Sequence, residues 1–460
     1  MHNPSLVILV LLAACGTPTD PSATVEASRL GSEAWADAGA GASDNLGFAL
    51  TAADLDGDGM AEIVAGAPLA SNPSVEEGIV SLYAGSAVPT LTATLEIDVA
   101  SSGFGASAAV ADVNGDGMLD LLVGAAKYET TPQLKNEGAV FLFLGVAGGG
   151  VASIPAWSAT GGQRDAMLGR SIVSLGDLDA DGDDEFAVGV PLWDAVGAVN
   201  AGKLVKYAGG AVPAMLGEAS LGLAGATEGW ALTVASNFFG DGRAVIGSGA
   251  PNAGGRVAVY RADDLSSQAT LSAAGTARLG YSLASGDLDG DGEDEIVIGD
   301  PLLDTVHVWS DASGDAMYTG VAGSHYGESV AVGDFEGDGW LDVLVGAPEA
   351  DGGVGEASEL RGEGDLFGLV EDWSQADLTA GDHLGTAVAA ADVNGDGMDD
   401  GVLGASGYDG LAAEGGRVSV HFGEGDVLLP VDLATSGDYA ILARARSAPR
   451  RSRTSRATWA

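Results

Sequence analysis

Short apolar runs ending in glycine recur along the chain, as in "EIVAGAP" from Glu62, "DLLVGAA" from Asp120, "EIVIGDP" from Glu295 and "DVLVGAP" from Asp342. Their centres, such as Ile63–Ala65, Leu121–Val123, Ile296–Ile298 and Val343–Val345, are apolar at every position. That pattern predicts strands covered on both faces. After each run comes a segment that alternates and ends near glycine: "GIVSLYAG", "GAVFLFLG", "GKLVKYAG", "GRVAVYRA", "GRVSVHFG". Before each run lies another strand, Phe48–Ala53 in the first case, which enters an acidic loop. A fourth segment, such as "TLTATLEI", completes a unit of four predicted strands. No long stretch carries a 3.6-residue apolar period, so helices are not expected.

The unit repeats. Its acidic stretch reads "DLDGDGMAEIVAGAP" from Asp54 and returns from Asp112, Asp177, Asp287, Asp334 and Asp392. A damaged copy, "NFFGDGRAVIGSGAP", starts at Asn237. A glycine stands about eight residues before each start, at 47, 105, 169, 229, 280, 327 and 385. Seven units of four strands, each unable to bury its faces alone, predict an all-β fold: a seven-bladed β-propeller of four-stranded antiparallel blades. The 73 glycines then read as turns, since no Gly-X-Y period exists.

Over roughly residues 44–425 the units resemble FG-GAP repeats, the modules of the integrin α-subunit propeller and of many bacterial surface proteins. The resemblance rests on "FG…DxDGDG…VGAP" recurring at this spacing. It implies calcium loops between first and second strands on one face, and a ligand-facing side opposite.

Aspartates on alternate residues repel: at ~4 Å and an effective dielectric of ~20 a pair of like charges costs roughly 4 kcal/mol. A bound cation offsets that. EF-hands are excluded, because position 12 of every intact loop is apolar (Ala65, Val123, Val188, Ile298, Val345, Leu403) where an EF-hand needs a bidentate acid. The loops close instead at position 9. The first offers Asp54, Asp56 and Asp58, the Met60 carbonyl and Glu62; the second Asp112, Asn114, Asp116, Met118 and Asp120. The third offers Asp177, Asp179, Asp181, Asp183 and Glu185; the fifth Asp287, Asp289, Asp291, Glu293 and Glu295. The sixth offers Asp334, Glu336, Asp338, Trp340 and Asp342, and the seventh Asp392, Asn394, Asp396, Met398 and Asp400. Hard oxygen donors on a flexible loop suit Ca2+, giving about six calcium sites. Asn114 and Asn394 drop a charge and predict weaker sites, while Glu336 makes the third position longer. The fourth loop is expected to be empty: Phe239 takes the third position, and two residues read as missing before "IGSGAP", leaving no closing acid.

Charge and the chain ends add to this picture. A net charge of −47 argues against nucleic-acid partners. Residues 1–14 read as a signal peptide, and "LAAC" resembles a lipoprotein lipobox, with Cys15 lipidated and residues 15–42 a tether. Cys15 is the sole cysteine, so no internal disulfide exists. The n-region lacks Lys and Arg. This predicts a cell-envelope or surface protein held by lipid alone, on the outer membrane rather than the inner since Gly16 follows Cys15, with secretion the other choice. The propeller is placed at 43–441, closed by a strand from 25–35 or from 427–436, the former favoured. A basic tail, 442–460, is expected to be disordered.

No nucleophile elbow, P-loop or HExxH motif is present, so no enzyme is expected. Function is expected on variable loops held by a rigid frame. Ligand-binding candidates are residues after the repeated glycines, Phe48, Arg170, Trp230 and Tyr281 among them, and Trp193 in a loop after "VGVP". These predict a monomeric adhesion or ligand-binding module for a protein or glycan. The alternatives are a structural envelope lipoprotein without a ligand, and a carbohydrate-active enzyme.

Overall fold

A computed structural model describes residues 30–424 except 73, 273–276, 312–313, 363–369 and 376–378. Cys15, the leader, most of the tether, the 427–436 segment and the basic tail lie outside the described residues.

The described residues form seven four-stranded antiparallel sheets. A strand β1 (Leu30–Ala38) comes first. The first blade follows as β2 (Ala49–Ala53), β3 (Glu62–Ala67), β4 (Ile79–Ala84) and β5 (Thr90–Leu95), hydrogen-bonded in that order. The next five blades repeat this order. The second strand of every blade is buried throughout, as its unbroken apolar run requires. Outermost strands such as Thr90–Leu95 are largely exposed and alternate. One short helical segment, Ala350–Gly353, and one 3-10 turn, Pro132–Leu134, are the helical elements among the described residues. The fold is therefore an all-β, seven-bladed propeller.

The seventh blade takes its outer strand from the start of the chain. β1 pairs antiparallel with Arg417–Gly423, so the propeller begins before residue 43. Glu33 bonds Arg417, the Tyr83 hydroxyl donates to Asp37 Oδ2 at 2.9 Å, and Trp35 meets Tyr83 edge-on at 5.1 Å. This strand thus joins the last blade to the first.

The two glycines of each repeat have one shared reason. Each glycine of the "FG" position has φ between +83° and +89°, where a Cβ is disfavoured. Each glycine of the "GAP" position faces the next blade: a Cβ on Gly66, Gly124, Gly189, Gly249, Gly299 or Gly346 would land on the carbonyl oxygen of Gly105, Gly169, Gly229, Gly280, Gly327 or Gly385. Gly404 meets Gly47 likewise and closes the ring. Successive blades therefore approach backbone to backbone at seven equivalent seams, and branched side chains fill the rest of each seam.

Antiparallel order fixes the two faces. The acidic loops lie where first strands end. Loops joining second to third strands, and one blade to the next, lie on the other face.

Candidate metal loops and channel mouth

The acidic loops fold on their own carboxylates. In the first, Asp54 Oδ1 accepts from the Gly57 and Asp58 amides at 2.7 and 3.1 Å, Asp56 Oδ1 from Asp58, and Asp58 Oδ1 from Met60. The same bonds recur from Asp112, Asp177, Asp334 and Asp392. Glycine supplies the positive φ between the acids, as at Gly57 and Gly59. Both oxygens of the first aspartate, and one oxygen of each of the next two, are thereby turned to the backbone.

Carboxylate oxygens converge in three of the six predicted loops, and the loops from Asp112 and Asp392 form no such group among the described residues. Asp54, Asp56 and Asp58 bring ligand atoms within 4.8 Å of one another, as do Asp177, Asp179 and Glu185, and Asp287, Asp289 and Asp291. Asp120 Oδ2, Asp287 Oδ1 and Glu295 Oε1 are buried with no hydrogen-bond donor. Such oxygens are costly unless something positive meets them, so these donor sets fit a hard divalent cation.

The closing acids have a second role. Glu62 is buried, its Oε2 accepting from the Leu55 amide at 2.8 Å and its Oε1 from Gly85 at 3.2 Å. Asp342 does the same with Phe335 and Gly362, and Asp400 with Val393 and Gly423. Asp120 takes Gly145, Glu185 takes Leu178, and Glu295 takes Leu288. Each therefore ties the start of its loop or the exit of the third strand into the blade. Burial, opposed by these amides, pushes their carboxyls up: Asp120 to about 6, Asp400 to about 7 and Glu295 to about 8.

The loops also contact one another. Asp184 donates its amide to Asp112 O at 2.9 Å and accepts from the Asp112 amide at 3.0 Å. Asp399 treats Asp334 identically, Ala61 donates to Asp392 O, and Asp294 accepts from Ser236. At these four junctions position 8 of one loop grips the start of the loop before it.

Two loops differ from the rest. In the sixth, Glu336 does not join Asp334 and Asp338. It folds inward, buried, to Arg361 Nε at 3.0 Å, with its oxygens near those of Asp342 and Glu359. The longer side chain reaches past the loop into the blade. In the fourth, no residues are missing. Gly249 follows Asp241 by the same eight residues that separate Gly66 from Asp58, and Val245 occupies the closing position, pairing Ala235 as Glu62 pairs Ala53. A side chain of the third strand enters this loop: Arg261, buried, sets Nη1 and Nη2 at 3.0 and 2.7 Å from the two oxygens of Asp241. Its guanidinium carbon lies 4.8 Å from the Phe239 ring centroid. The Arg261 bond holds Asp241 below the usual carboxylate range. An internal cation stands in the acidic loop that lost its closing acid.

On the opposite face, the seven residues after the repeated glycines meet around the axis. Phe48, Ala106, Arg170, Trp230, Tyr281, Glu328 and Thr386 all line one cavity of about 260 Å3. First strands are innermost, which places these positions at the mouth of the channel. Arg170 lies over Trp230 at 4.6 Å, Trp230 and Tyr281 tilt together at 5.5 Å, and the Tyr281 hydroxyl reaches Glu328 Oε1 at 3.2 Å. Burial raises the Tyr281 phenol and lowers the Arg170 guanidinium. Trp193 is not among the lining residues. It packs at the edge of the core between the second and third blades, capped by Lys203 Nζ at 3.4 Å from its ring centre. With Arg170 over Trp230, that indole face is closed to a sugar ring. Lys127, Met167 and Asn45, which the repeat pattern did not single out, line an adjoining cavity that shares Phe48, Ala106 and Arg170.

Known proteins place the chain. The family profile described as FG-GAP repeat matches residues 46–83, 104–143, 169–205, 279–314 and 326–360. These are five of the seven blades; the damaged fourth and the seventh fall outside. Human integrin alpha-IIb is 45% identical over 94 residues, covering 20% of this chain and 9% of that protein. Mouse integrin alpha-8 is 32% identical over 169 residues, 36% of this chain and 15% of the other. Human phosphatidylinositol-glycan-specific phospholipase D is 32% identical over 157 residues, 32% and 18% of the two chains. The matches thus span less than a fifth of these relatives. The solved structure of BBS1N in complex with ARL6DN, soaked with mercury, superposes with a TM-score of 0.54 at 12% identity, over 86% of this chain and 97% of that one, a likeness of fold. Five stretches of the chain are therefore similar to FG-GAP repeats and to parts of integrin alpha subunits, within a fold that is a seven-bladed β-propeller.

Proposed function

We propose that this protein is a calcium-stabilised binding module, held at the cell envelope by a lipid on Cys15, that docks a protein partner on the face away from its acidic loops. The convergence of seven repeat positions on one channel mouth carries the reading. Exposed apolar residues support it: Val75, Val196, Val199, Leu302, Leu303 and Leu411 all sit on loops joining second to third strands, around that mouth. Four others, Val88, Val146, Ile154 and Val212, lie on the acidic-loop face. Apolar loop tips around a concave mouth suit a protein surface better than a glycan.

Calcium is assigned a structural role, fastening six loops to the blades, with Glu336 leaving the sixth short of one ligand. No catalytic step is assigned, since the acids recur as six related loop sets. Surface capture by full-length protein, before and after Val196→Asp with Leu303→Asp, tests the docking face. Capture that survives both changes, in calcium, removes the reading and favours a structural envelope protein. Incorporation of labelled fatty acid into wild type but not Cys15→Ser tests the anchor.

A further inference from the structure

The charge of the channel mouth is unusual for this chain. With a net charge of −47, the mouth still presents an arginine, while the surrounding loops of that face carry acids such as Glu129, Asp194, Asp304 and Glu349 beside Lys127, Lys135, Arg278 and Arg164, the last paired with Asp165. Glu328, the single acid of the ring, is already engaged: Oε1 accepts from the Tyr281 hydroxyl and Oε2 lies 3.3 Å from His325 Nδ1. Arg170 is different. Its side chain rests on Trp230, and no hydrogen bond or ion pair to its guanidinium is found among the described residues. The indole Nε1 of Trp230 is buried and lacks an acceptor as well. The Arg170 guanidinium therefore lines the cavity with no acceptor among the described residues, and the buried indole N–H of the tryptophan beneath it also lacks one, which is costly for a desolvated donor.

We infer that the channel mouth receives a carboxylate, the side chain of an aspartate or glutamate on the docked partner, with the Arg170 guanidinium as its bidentate donor. This rests on the docking reading above and names the chemistry of what is docked. A planar carboxylate matches a guanidinium fork with two parallel N–H···O bonds. Trp230 holds the guanidinium in place and leaves its edge free for that pairing. A dianionic phosphate fits worse, because Glu328 shares the ring and one guanidinium neutralises a single charge. A cationic ligand would meet Arg170 across a cavity of about 260 Å3. The apolar loop tips around the mouth argue for a carboxylate presented by a protein surface rather than a free small acid.

The experiment follows the indole N–H of Trp230 by NMR in full-length Cys15→Ser protein, the signal being assigned by its loss in Trp230→Phe. Sodium acetate is the probe, at fixed free calcium and ionic strength, with inorganic phosphate and methylammonium as comparison ions. A saturable shift with acetate is expected, with the half-saturating concentration raised at least about tenfold in Arg170→Gln. Arg170→Lys is expected to fall between, and serves if Arg170→Gln does not fold. The inference is overturned by no saturable shift in wild type, by an equal shift in Arg170→Gln, or by tighter binding of phosphate or methylammonium. A partner bound through the loop tips equally well by wild type and Arg170→Gln defeats the carboxylate and leaves the docking face standing. Acetate binding without any loop-tip partner defeats docking instead.

Discussion

If calcium fills the acidic loops as proposed, stripping it should invert this protein's response to pH. The buried closing acids carry the reasoning. In the ion-free fold the Glu295 carboxyl rises from 4.5 to about 8, chiefly through burial, opposed by the Leu288 amide and reinforced by Asp289, Asp291 and Asp287. Asp400 rises to about 7 and Asp120 to about 6, and Asp342 rises too, with Glu336 beside it. A carboxyl raised by folding holds its proton in the native state while the unfolded chain has released it. The native state then binds more protons, so stability is fully present below the unfolded pKa, about 4, and is lost as pH climbs through the folded value. One pKa unit is about 1.4 kcal/mol. For Glu295 this gives on the order of 4 kcal/mol by pH 8, and water in the open loop reduces it to roughly 2 kcal/mol. Several such sites together approach the ~5–15 kcal/mol that holds a typical domain. A cation at the loop keeps the carboxylates charged and removes the penalty.

Melting followed by circular dichroism checks this. In calcium-stripped buffer the midpoint should fall from pH 5 to pH 8; in millimolar calcium it should hold or rise. General repulsion on an acidic surface would also lower the stripped midpoint, so a single substitution separates the two. Glu295→Gln cannot ionise. In stripped buffer it should stabilise the protein at pH 8 by about 2 kcal/mol, leave pH 5 nearly unchanged, and lower the melting point in calcium. A stripped protein that grows more stable toward pH 8, or a Glu295→Gln variant with no pH-dependent gain, would refute the reasoning.

Other outcomes follow from the same geometry. Calorimetric titration should find no ion in the fourth loop, and Arg261→Gln should lower the melting point equally with and without calcium, because it removes an internal cation rather than a bound one. Gly66→Ala would drive a methyl into the Gly105 carbonyl of the next blade and should cost about 3 kcal/mol or more, read as a lower denaturant midpoint. Trp35→Ala strips β1 of its contact with Tyr83 and should cost roughly 2–3 kcal/mol, with faster unfolding, since it loosens ring closure. Asp184→Ala breaks the bond to the Asp112 amide and should weaken ion binding in the second and third loops together.

The repeat made much of this legible. Four strands per unit, seven units and the grouping of Phe48, Arg170, Trp230 and Tyr281 at one end of their strands follow from spacing alone. Other features depend on contacts distant in sequence. Glu62 looked like a ligand because it ends an acidic run; its bond to Gly85 crosses the third strand and is invisible without strand register. Glu336 differs from Asp56 by one methylene, and only the arginine at 361 shows why it turns inward. Trp193 shares its composition with the mouth aromatics but stands on a loop farther from the axis. In the fourth copy Arg243 and Val245 replace the residues of "MAE" and so resemble a shortened loop, although the glycine spacing is intact.

The fourth blade shows how one acidic loop of the propeller keeps its shape without a closing acid. An acidic loop without an ion leaves aspartates facing one another, and a closing acid without an ion is a buried charge. Changing Asp56 to the phenylalanine type removes one repelling carboxylate, and valine in place of glutamate removes the buried one, as Phe239 and Val245 do here. One acid then remains, Asp241, and a guanidinium from the third strand matches its charge with two hydrogen bonds. The blade keeps its link to the fifth loop through Ser236 and Asp294. Calcium removal should therefore loosen the loops unequally, leaving the Asn237–Val245 loop as the most protected of the seven. Hydrogen exchange of the amides of Gly242 and Arg243, bonded to Asn237 and Asp241, against those of Gly59 and Met60 in the first loop measures this directly. Equal deprotection of both loops on chelation would show that Arg261 does not take the place of an ion.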